Sequence, residues 1–201
     1  MPTVGIVALG ACNKRSIESG LTRAGATTLT VTQPAQIAGC DALVIPGVAH
    51  FGYVASELDR SGLRDALLEA HAAGVPMLGI CVGFQLLFER SDEAEGARGL
   101  GIFAGNVRRL RTPRVPHMGW NLVEPASDAI DGGWAYFANA YAPDAGCADV
   151  IAVTRDGDDV FASAARRGSA MGVQFHPERS GAYGAALLER FVTTTAVVYA
   201  R

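Results

Sequence analysis

The chain has 201 residues, of which 49% are hydrophobic, 18% charged and 7% aromatic, with a formal net charge of −3. This length favours a single domain over residues 1–201, and the composition excludes a disordered chain and the basic surface typical of nucleic-acid-binding proteins. With no run of about 18 apolar residues and no signal-peptide pattern after Met1, the sequence predicts a cytoplasmic protein that enters no membrane.

The first half of the chain alternates short apolar strands with helical segments. Strands are predicted at 3–8, 27–32, 42–45 and 77–80. Helices are predicted at 13–24, at 54–73 as one or two helices, and at 82–90. Because parallel neighbours need a crossover connection, this alternation predicts an α/β domain with a mostly parallel central sheet flanked by helices.

After Gly96 the pattern changes to short β-like runs with few helical stretches. These runs cover 105–110, 120–123, 134–138, 150–154, 160–164 and 170–175, and a closing helix is predicted at about 183–198. We expect the second half to add a smaller antiparallel or mixed extension to the sheet.

The sharpest local feature is Gly79-Ile80-Cys81-Val82-Gly83, where a predicted strand meets a helix. It has the form of a nucleophile elbow with cysteine as the nucleophile. The start of a helix favours a thiolate, and the N–H of Val82 would point towards an oxyanion. A small buried hydrophobic residue is the alternative interpretation of Cys81. The other cysteines form no CxxC pair and belong to no recognisable motif: Cys12, Cys40 and Cys147.

A thiolate nucleophile needs a proton carrier, and His176 is the strongest candidate. It follows an apolar run and lies two residues before Glu178. In extended backbone, which Pro177 favours, both side chains project from the same face. A carboxylate beside an imidazole orients it and stabilises its charged form. A strand-end histidine capped by a surface glutamate is the alternative, but together with the elbow the pattern favours a Cys81–His176–Glu178 triad.

Five segments together resemble a known family. Gly79–Gln85 and Phe175–Glu178 resemble the two signatures of class I (triad) glutamine amidotransferases, and Pro46–Gly52 resembles their oxyanion segment. Val115–Asn121 and Tyr136–Tyr141 are similar to the glutaminase subunit of imidazole glycerol phosphate synthase, of histidine biosynthesis. The resemblance implies a flavodoxin-like, class I amidotransferase-like fold.

The resemblance also implies an activity and a set of site residues. Cys81 would attack the side-chain amide of glutamine to form a thioester and release ammonia, with His176 relaying protons. The implied oxyanion residues are Val82, Val48 and Ala49. The implied substrate-binding residues are Gln85, Glu93, Gly47 and Gly83. No metal or cofactor is implied.

A partner is implied as well, because ammonia becomes ammonium in water at neutral pH and must travel sheltered. The resemblance implies a heterodimer with a (β/α)8-barrel cyclase, which makes imidazole glycerol phosphate and an aminoimidazole carboxamide ribotide. The implied partner-facing residues are His117, Met118, Trp120, Asn121, Tyr136, Arg179 and Asn13. For His117, Met118 and Trp120 the alternative is a turn packed under the sheet extension, which Gly119 would allow.

The chain departs from the family pattern at several positions. Ala49 stands in place of a glycine and is followed by His50, Asn139 stands in place of the usual histidine, and Ala11-Cys12 precede Asn13 where the family has Met-Gly. A different synthase partner, a Cys-His hydrolase of similar fold and a non-catalytic binding module are the alternative functions.

A separate basic cluster is equally compatible with a phosphate or nucleic-acid site and with a solvated strand edge; it comprises Arg108, Arg109, Arg111 and Arg114.

Overall fold

The computed structural model describes residues 1–10, 13–112 and 114–199, with side chains up to residue 196. Within these ranges the strands are β1 (Thr3–Val7), β2 (Thr27–Val31), β3 (Ala42–Ile45), β4 (Met77–Ile80), β5 (Arg90–Ser91), β6 (Asn106–Arg109), β7 (His117–Pro125), β8 (Gly133–Asn139), β9 (Tyr141–Pro143), β10 (Val150–Asp156), β11 (Asp159–Arg167) and β12 (Ala170–Val173). The α-helices are α1 (Lys14–Arg23), α2 (Phe51–Arg60), α3 (Leu63–Ala72), α4 (Val82–Gln85) and α5 (Gly181–Tyr199).

The larger sheet has, in the described part of the chain, nine strands in the order β2-β1-β3-β4-β12-β11-β10-β7-β8. From β2 to β12 each strand runs parallel to its neighbour, and we call these five strands the parallel half. From β12 onwards every pairing is antiparallel, and β11, β10, β7 and β8 are the antiparallel half. The predicted α/β architecture with an antiparallel extension is therefore confirmed.

The central strands of the parallel half are buried along their whole length. Every residue of β3 and β4 is buried, as expected for parallel strands covered on both faces. This burial explains why they appear in the sequence as continuous apolar runs. None of the helices in the described ranges is both long and apolar enough to cross a membrane.

Two helix predictions are refined by the structure. The segment predicted as one or two helices is two, α2 and α3, separated at Gly62, whose φ of 69° is in the left-handed region that glycine favours. The second prediction, a helix from residue 82 to about 90, is wrong beyond Gln85, where α4 ends. There the carbonyls of Leu86 and Leu87 accept hydrogen bonds from the backbone N–H groups of Leu100 and Phe103, at 2.6 and 2.8 Å. These contacts with a distant segment replace the helical ones.

The small sheet, of order β5-β6-β9, contains two strands of three residues or fewer that the sequence did not reveal. Arg108 on β6 is buried and pairs with Asp159 through two hydrogen bonds of 2.6 and 3.1 Å. The same guanidinium donates to the backbone oxygen of Val160. Arg108, one of the four arginines of the predicted basic cluster, therefore connects the two sheets rather than facing solvent.

Candidate active site

The candidate nucleophile and proton carrier meet because their strands are parallel neighbours. Val173 of β12 pairs in register with Ile80 of β4, so the residues that follow each strand leave the sheet side by side. The N–H of Cys81 donates to the carbonyl of Val173 at 2.9 Å. The carboxyl ends of parallel strands are the usual location of sites in α/β sheets.

Cys81 occupies a strained backbone conformation. Its φ of 55° and ψ of −113° make it the only non-glycine residue with positive φ in the described ranges. The turn is pressed against the end of β3, because a Cβ added at Gly83 would lie 1.7 Å from the carbonyl oxygen of Ile45. Strain of this kind persists where the surrounding structure enforces it, and it is the geometry expected of a nucleophile elbow.

His176 and Glu178 are joined by a hydrogen bond of 2.9 Å between Nδ1 and Oε1, and the glutamate side chain is fully buried. His176 has the extended backbone predicted before proline, with φ −98° and ψ 97°, but the extended conformation stops there, since Pro177–Arg179 forms a 3-10 turn. The two side chains meet because the turn folds the carboxylate back beneath the imidazole. The alternative of a surface glutamate is excluded by this burial.

The protonation of His176 is set by its two neighbours. Burial by itself lowers the pKa of the imidazole, but hydrogen bonds and charge interactions with the Cys81 sulfur and the Glu178 carboxylate raise it to about 10. A raised pKa favours imidazolium beside the sulfur. An imidazolium in contact with a thiolate can deliver a proton to a leaving group.

A cavity of about 410 Å³ opens at this point. Its lining brings together residues singled out from the sequence as catalytic, oxyanion, substrate-binding or partner-facing: Asn13, Val48, Ala49, Cys81, Val82, Gln85, Glu93, His176 and Arg179. His50 and the wall formed by residues 138–141 also line the cavity, and neither was among the predicted site residues. Within the described residues no cluster of His, Cys, Asp or Glu is arranged to hold a metal ion. Ala11 and Cys12 lie outside the described residues.

The amide of Gln85 is anchored within the protein. Its Nε2 donates to the backbone oxygen of Tyr141 at 2.8 Å and to Oε1 of Gln174 at 3.1 Å. Both N–H groups are thus used, and Oε1 is the atom left to accept from a ligand. Asn139 donates to the same Tyr141 oxygen at 3.0 Å, so this buried amide supports the wall of the cavity.

The side chain of Glu93 contacts the first residue of α2. Its Oε2 accepts a hydrogen bond of 2.7 Å from the N–H of Phe51. Its carboxylate also lines the cavity that contains Cys81 and Gln85. A carboxylate and an amide oxygen in one cavity are suited to binding an ammonium group.

The predicted oxyanion segment lies against the elbow. The N–H of Val82 makes a long hydrogen bond of 3.4 Å to the carbonyl of Gly47, while Val48 is half exposed. A Cβ at Gly47 would lie 2.7 Å from Cβ of Val82. Among the described residues, Gly47 and Gly83 are not in the cavity lining, so the structure assigns them close packing, and a role in substrate binding stays a prediction.

The four predicted partner-facing residues on β7 divide between its two faces. His117 and Asn121 point inwards. Nδ1 of His117 lies 3.1 Å from a carboxylate oxygen of Asp156, and the side-chain amide of Asn121 donates to the carbonyl of Arg155 at 2.9 Å. The opposite face of β7 and β8 is apolar. We call this surface the β7–β8 face, and it consists of Met118, Trp120, Leu122, Trp134 and Tyr136.

The β7–β8 face is exposed, with Met118, Trp134 and Trp120 exposed by 65%, 60% and 54%. Trp134 and Leu122 were not among the predicted partner-facing residues, although the alternation of side chains along a strand could have indicated them. Arg179 lies over the ring of Tyr136 at 4.3 Å and also lines the cavity. The apolar face is therefore continuous with the mouth of the cavity.

Comparison with known proteins shows the family of the chain. The family model "Glutamine amidotransferase class-I" matches residues 7–195. A protein of Deinococcus radiodurans named "Imidazole glycerol phosphate synthase subunit HisH" is 41% identical over 94% of this chain and 93% of its own length. A protein of the same name from Thermococcus kodakarensis is 40% identical over 94% and 98%.

Solved structures show the same fold. A structure described as "Crystal structure of glutamine amidotransferase" superimposes with a TM-score of 0.79 at 21% identity, covering 96% of this chain and 98% of that one. A second, "Structure of PurLQS from Thermotoga maritima", has a TM-score of 0.73 at 15% identity, covering 100% and 99%. The chain belongs to the class-I glutamine amidotransferase family and, within it, to the group of imidazole glycerol phosphate synthase HisH subunits.

Proposed function

We propose that this chain hydrolyses glutamine to glutamate and ammonia, as the glutaminase subunit of an imidazole glycerol phosphate synthase in histidine biosynthesis. The observation that carries the proposal is the meeting of Cys81 and His176 in one cavity, with the buried Glu178 behind the imidazole. This arrangement occurs in a glutamine amidotransferase about 40% identical to HisH subunits over nearly all of its length.

The first half-reaction uses the sulfur of Cys81 as nucleophile. The thiolate attacks the side-chain amide carbon of glutamine, and a tetrahedral oxyanion forms. His176 gives its proton to the amide nitrogen, the C–N bond breaks and ammonia leaves. A γ-glutamyl thioester remains on Cys81. The raised pKa of His176 keeps it in the proton-donating form, and Glu178 holds the ring in the required orientation.

The second half-reaction regenerates the enzyme. Neutral His176 takes a proton from water, and the resulting hydroxide attacks the thioester carbon. The C–S bond breaks, glutamic acid leaves and gives its new γ-carboxyl proton to solvent, and the sulfur returns as the thiolate beside an imidazolium.

The substrate's amino-acid end is assigned to the polar groups across the cavity. The free Oε1 of Gln85 and the carboxylate of Glu93 would accept hydrogen bonds from the α-ammonium. The N–H of Val82 would stabilise the oxyanion, which requires its 3.4 Å contact with the Gly47 carbonyl to open. Val48 and Ala49 would supply the remaining wall of the oxyanion site.

We assign the β7–β8 face to a (β/α)8-barrel cyclase that consumes the ammonia in a cytoplasmic heterodimer. Exposed apolar patches with tryptophan side chains are typical of protein interfaces. Its continuity with the cavity, through Arg179 on Tyr136, supports a route that leads ammonia into the interface rather than into water. Asn13, at the cavity rim, would lie beside the same partner.

Mixing the protein with a cyclase subunit and glutamine tests this function. We expect glutamate release and cyclase product to appear together, and glutamate release to rise when the cyclase's nucleotide ligand is added. Stimulation by a barrel protein without cyclase activity would instead indicate a different synthase. Peptide hydrolysis without any partner would indicate a Cys-His hydrolase, and no glutamate release under any condition would overturn the proposal.

A further inference from the structure

Gln174 is a buried polar residue beside the nucleophile that the chemistry above does not use. It has no exposed surface and directly follows Val173, the residue in register with Ile80. Its neighbour across the sheet is therefore Cys81. The Nε2 atom of Gln174 lies 3.7 Å from the Cys81 sulfur, in hydrogen-bonding geometry.

The orientation of the Gln174 amide follows from its partners. The carbonyl of Tyr141 accepts hydrogen bonds, so the atom of Gln85 that faces it at 2.8 Å must be the nitrogen. The same nitrogen faces Gln174 at 3.1 Å, so the facing atom of Gln174 must be its oxygen. A flipped Gln174 amide would set two donors against each other. The N–H of Gln174 therefore points at sulfur.

A donor aimed at sulfur favours one form of the cysteine. A thiolate accepts hydrogen bonds more strongly than a thiol does, because bonds to a charged acceptor are about twice as strong as neutral ones. The buried amide keeps this orientation because rotating it would leave its polar atoms unpaired, which is costly inside a protein.

We propose that Gln174 is a positioning residue that holds the Cys81 thiolate in place and connects it, through one amide chain, to Gln85. The inference rests on the proposed role of Cys81 as nucleophile. Gln174 itself touches no substrate atom in this arrangement, and acts through the sulfur.

The test is the pH profile of Cys81 alkylation by iodoacetamide, followed by mass spectrometry on the full-length protein. Gln174→Met removes the donor with little change in length. We expect alkylation near neutral pH to fall by about tenfold, the size of one lost hydrogen bond to a charged group, and to recover as the pH is raised. A purely structural defect would not recover with pH.

The other titratable groups around the sulfur stay unchanged in this variant; they are His176, Glu178, His50, Glu93, Tyr141 and Arg179. Ser163→Ala is the matched control, since Ser163 is buried beside Gln174 and bonds to it through its backbone oxygen. We expect this variant to keep the wild-type profile.

Gln174→Asn provides a second variant, which keeps the amide but withdraws it from the sulfur. A profile shifted in the same direction as in Gln174→Met supports the proposal. Wild-type profiles in both folded variants, judged by circular dichroism, would overturn it. That result is distinguishable from failure of the proposed function, which would appear as no glutamate release by the unchanged protein under any condition, or as glutamine hydrolysis surviving in Cys81→Ala.

Discussion

The parallel and antiparallel halves of the large sheet differ in what they expose. In the parallel half, β3 and β4 are wholly buried, and the segments that line the cavity follow the carboxyl ends of β3, β4 and β12. In the antiparallel half, the end strands β7 and β8 expose an apolar face that includes two tryptophans.

The difference follows from how the two kinds of sheet are covered. Parallel strands need crossover connections, which in α/β proteins put helices over both faces. Antiparallel strands are joined by short turns and can leave one face uncovered. Within one continuous sheet, the covered half can therefore hold a reactive site and the uncovered half can hold a partner.

The largest expected effect is on the covered half. Cys81→Ala should abolish glutamine-dependent product formation, by at least about a thousandfold as for other nucleophile deletions, while ammonia-dependent formation by the complex continues. Coupled assays with each nitrogen source measure this. Cys147→Ser, at a half-buried cysteine outside the cavity, is the control, and loss of activity there as well would contradict the assignment.

Glu178→Gln tests the carboxylate behind the imidazole. We expect glutamine turnover to fall by roughly a hundredfold to ten-thousandfold, as when the third member of a triad is neutralised. The pKa of His176 should fall from about 10 towards the ordinary value of 6.5, because one of its two stabilising neighbours is lost. NMR titration of labelled histidine measures it.

The same raised pKa predicts a pH dependence of stability. Protonated His176 contributes stability that is fully present below pH 6.5 and is lost as the pH rises through about 10. Glu178→Gln should narrow the pH range over which this stability is lost, because the upper limit of the range is the pKa of His176. Glu189→Gln, at an exposed position on α5, should leave the range unchanged. Equal pKa values of His176 in both variants would be evidence against the coupling.

Arg108→Ala tests the connection of the small sheet to the antiparallel half. Removing one partner of the buried pair with Asp159 should lower the free energy of unfolding by about 3 kcal/mol, measured by urea denaturation. Arg155→Ala, which breaks the exposed pair with Glu124, should cost about 1 kcal/mol or less. Similar losses in the two variants would mean that burial does not distinguish these pairs.

The ion pair also predicts behaviour in acid. Burial by itself raises the pKa of the Asp159 carboxyl, but hydrogen bonds from Arg108 and from the backbone N–H of Arg111 lower it below the ordinary 3.8. The stability contributed by Asp159 is therefore present above pH 3.8 and is lost as the pH falls below it. In Arg108→Ala this acid-sensitive contribution should shrink.

The smallest expected effect is on the uncovered half. Trp120→Ala should weaken cyclase binding by about 2 kcal/mol, or about thirtyfold, the size typical of a tryptophan hot spot. Isothermal titration calorimetry measures it, and saturating cyclase should restore activity. Leu29→Ala, at an exposed apolar position on the opposite edge strand β2, should bind normally. Equal weakening of cyclase binding in Leu29→Ala and Trp120→Ala would mean that the β7–β8 face is not the docking surface.

Much of the fold was predictable because its signals are local. The continuous apolar runs of β1, β3 and β4 indicate buried strands. The glycines on either side of Cys81 indicate the tight turn of a nucleophile elbow. The resemblance of five short segments predicted the family and the glutaminase activity, both confirmed by the comparisons.

Other features depend on contacts that a linear pattern does not contain. The helix predicted to continue past Gln85 ends there because residues 99–103 supply hydrogen-bond partners. His176 is extended as Pro177 predicts, but Glu178 meets it through the 3-10 turn of Pro177–Arg179 rather than through a continuing extended backbone. Gln174 was unremarked because its partners, Cys81 and Gln85, lie 93 and 89 residues earlier.

By itself the sequence predicted most of the order of strands and helices, the family and a candidate nucleophilic cysteine with its candidate histidine, since these depend on short-range periodicity and on residue types at fixed spacing. The tertiary structure decided which side chains share one cavity, which face stays uncovered, and how each amide is turned. Those properties arise from strand register and from the pairing of buried polar groups, and both are settled only when distant segments pack together.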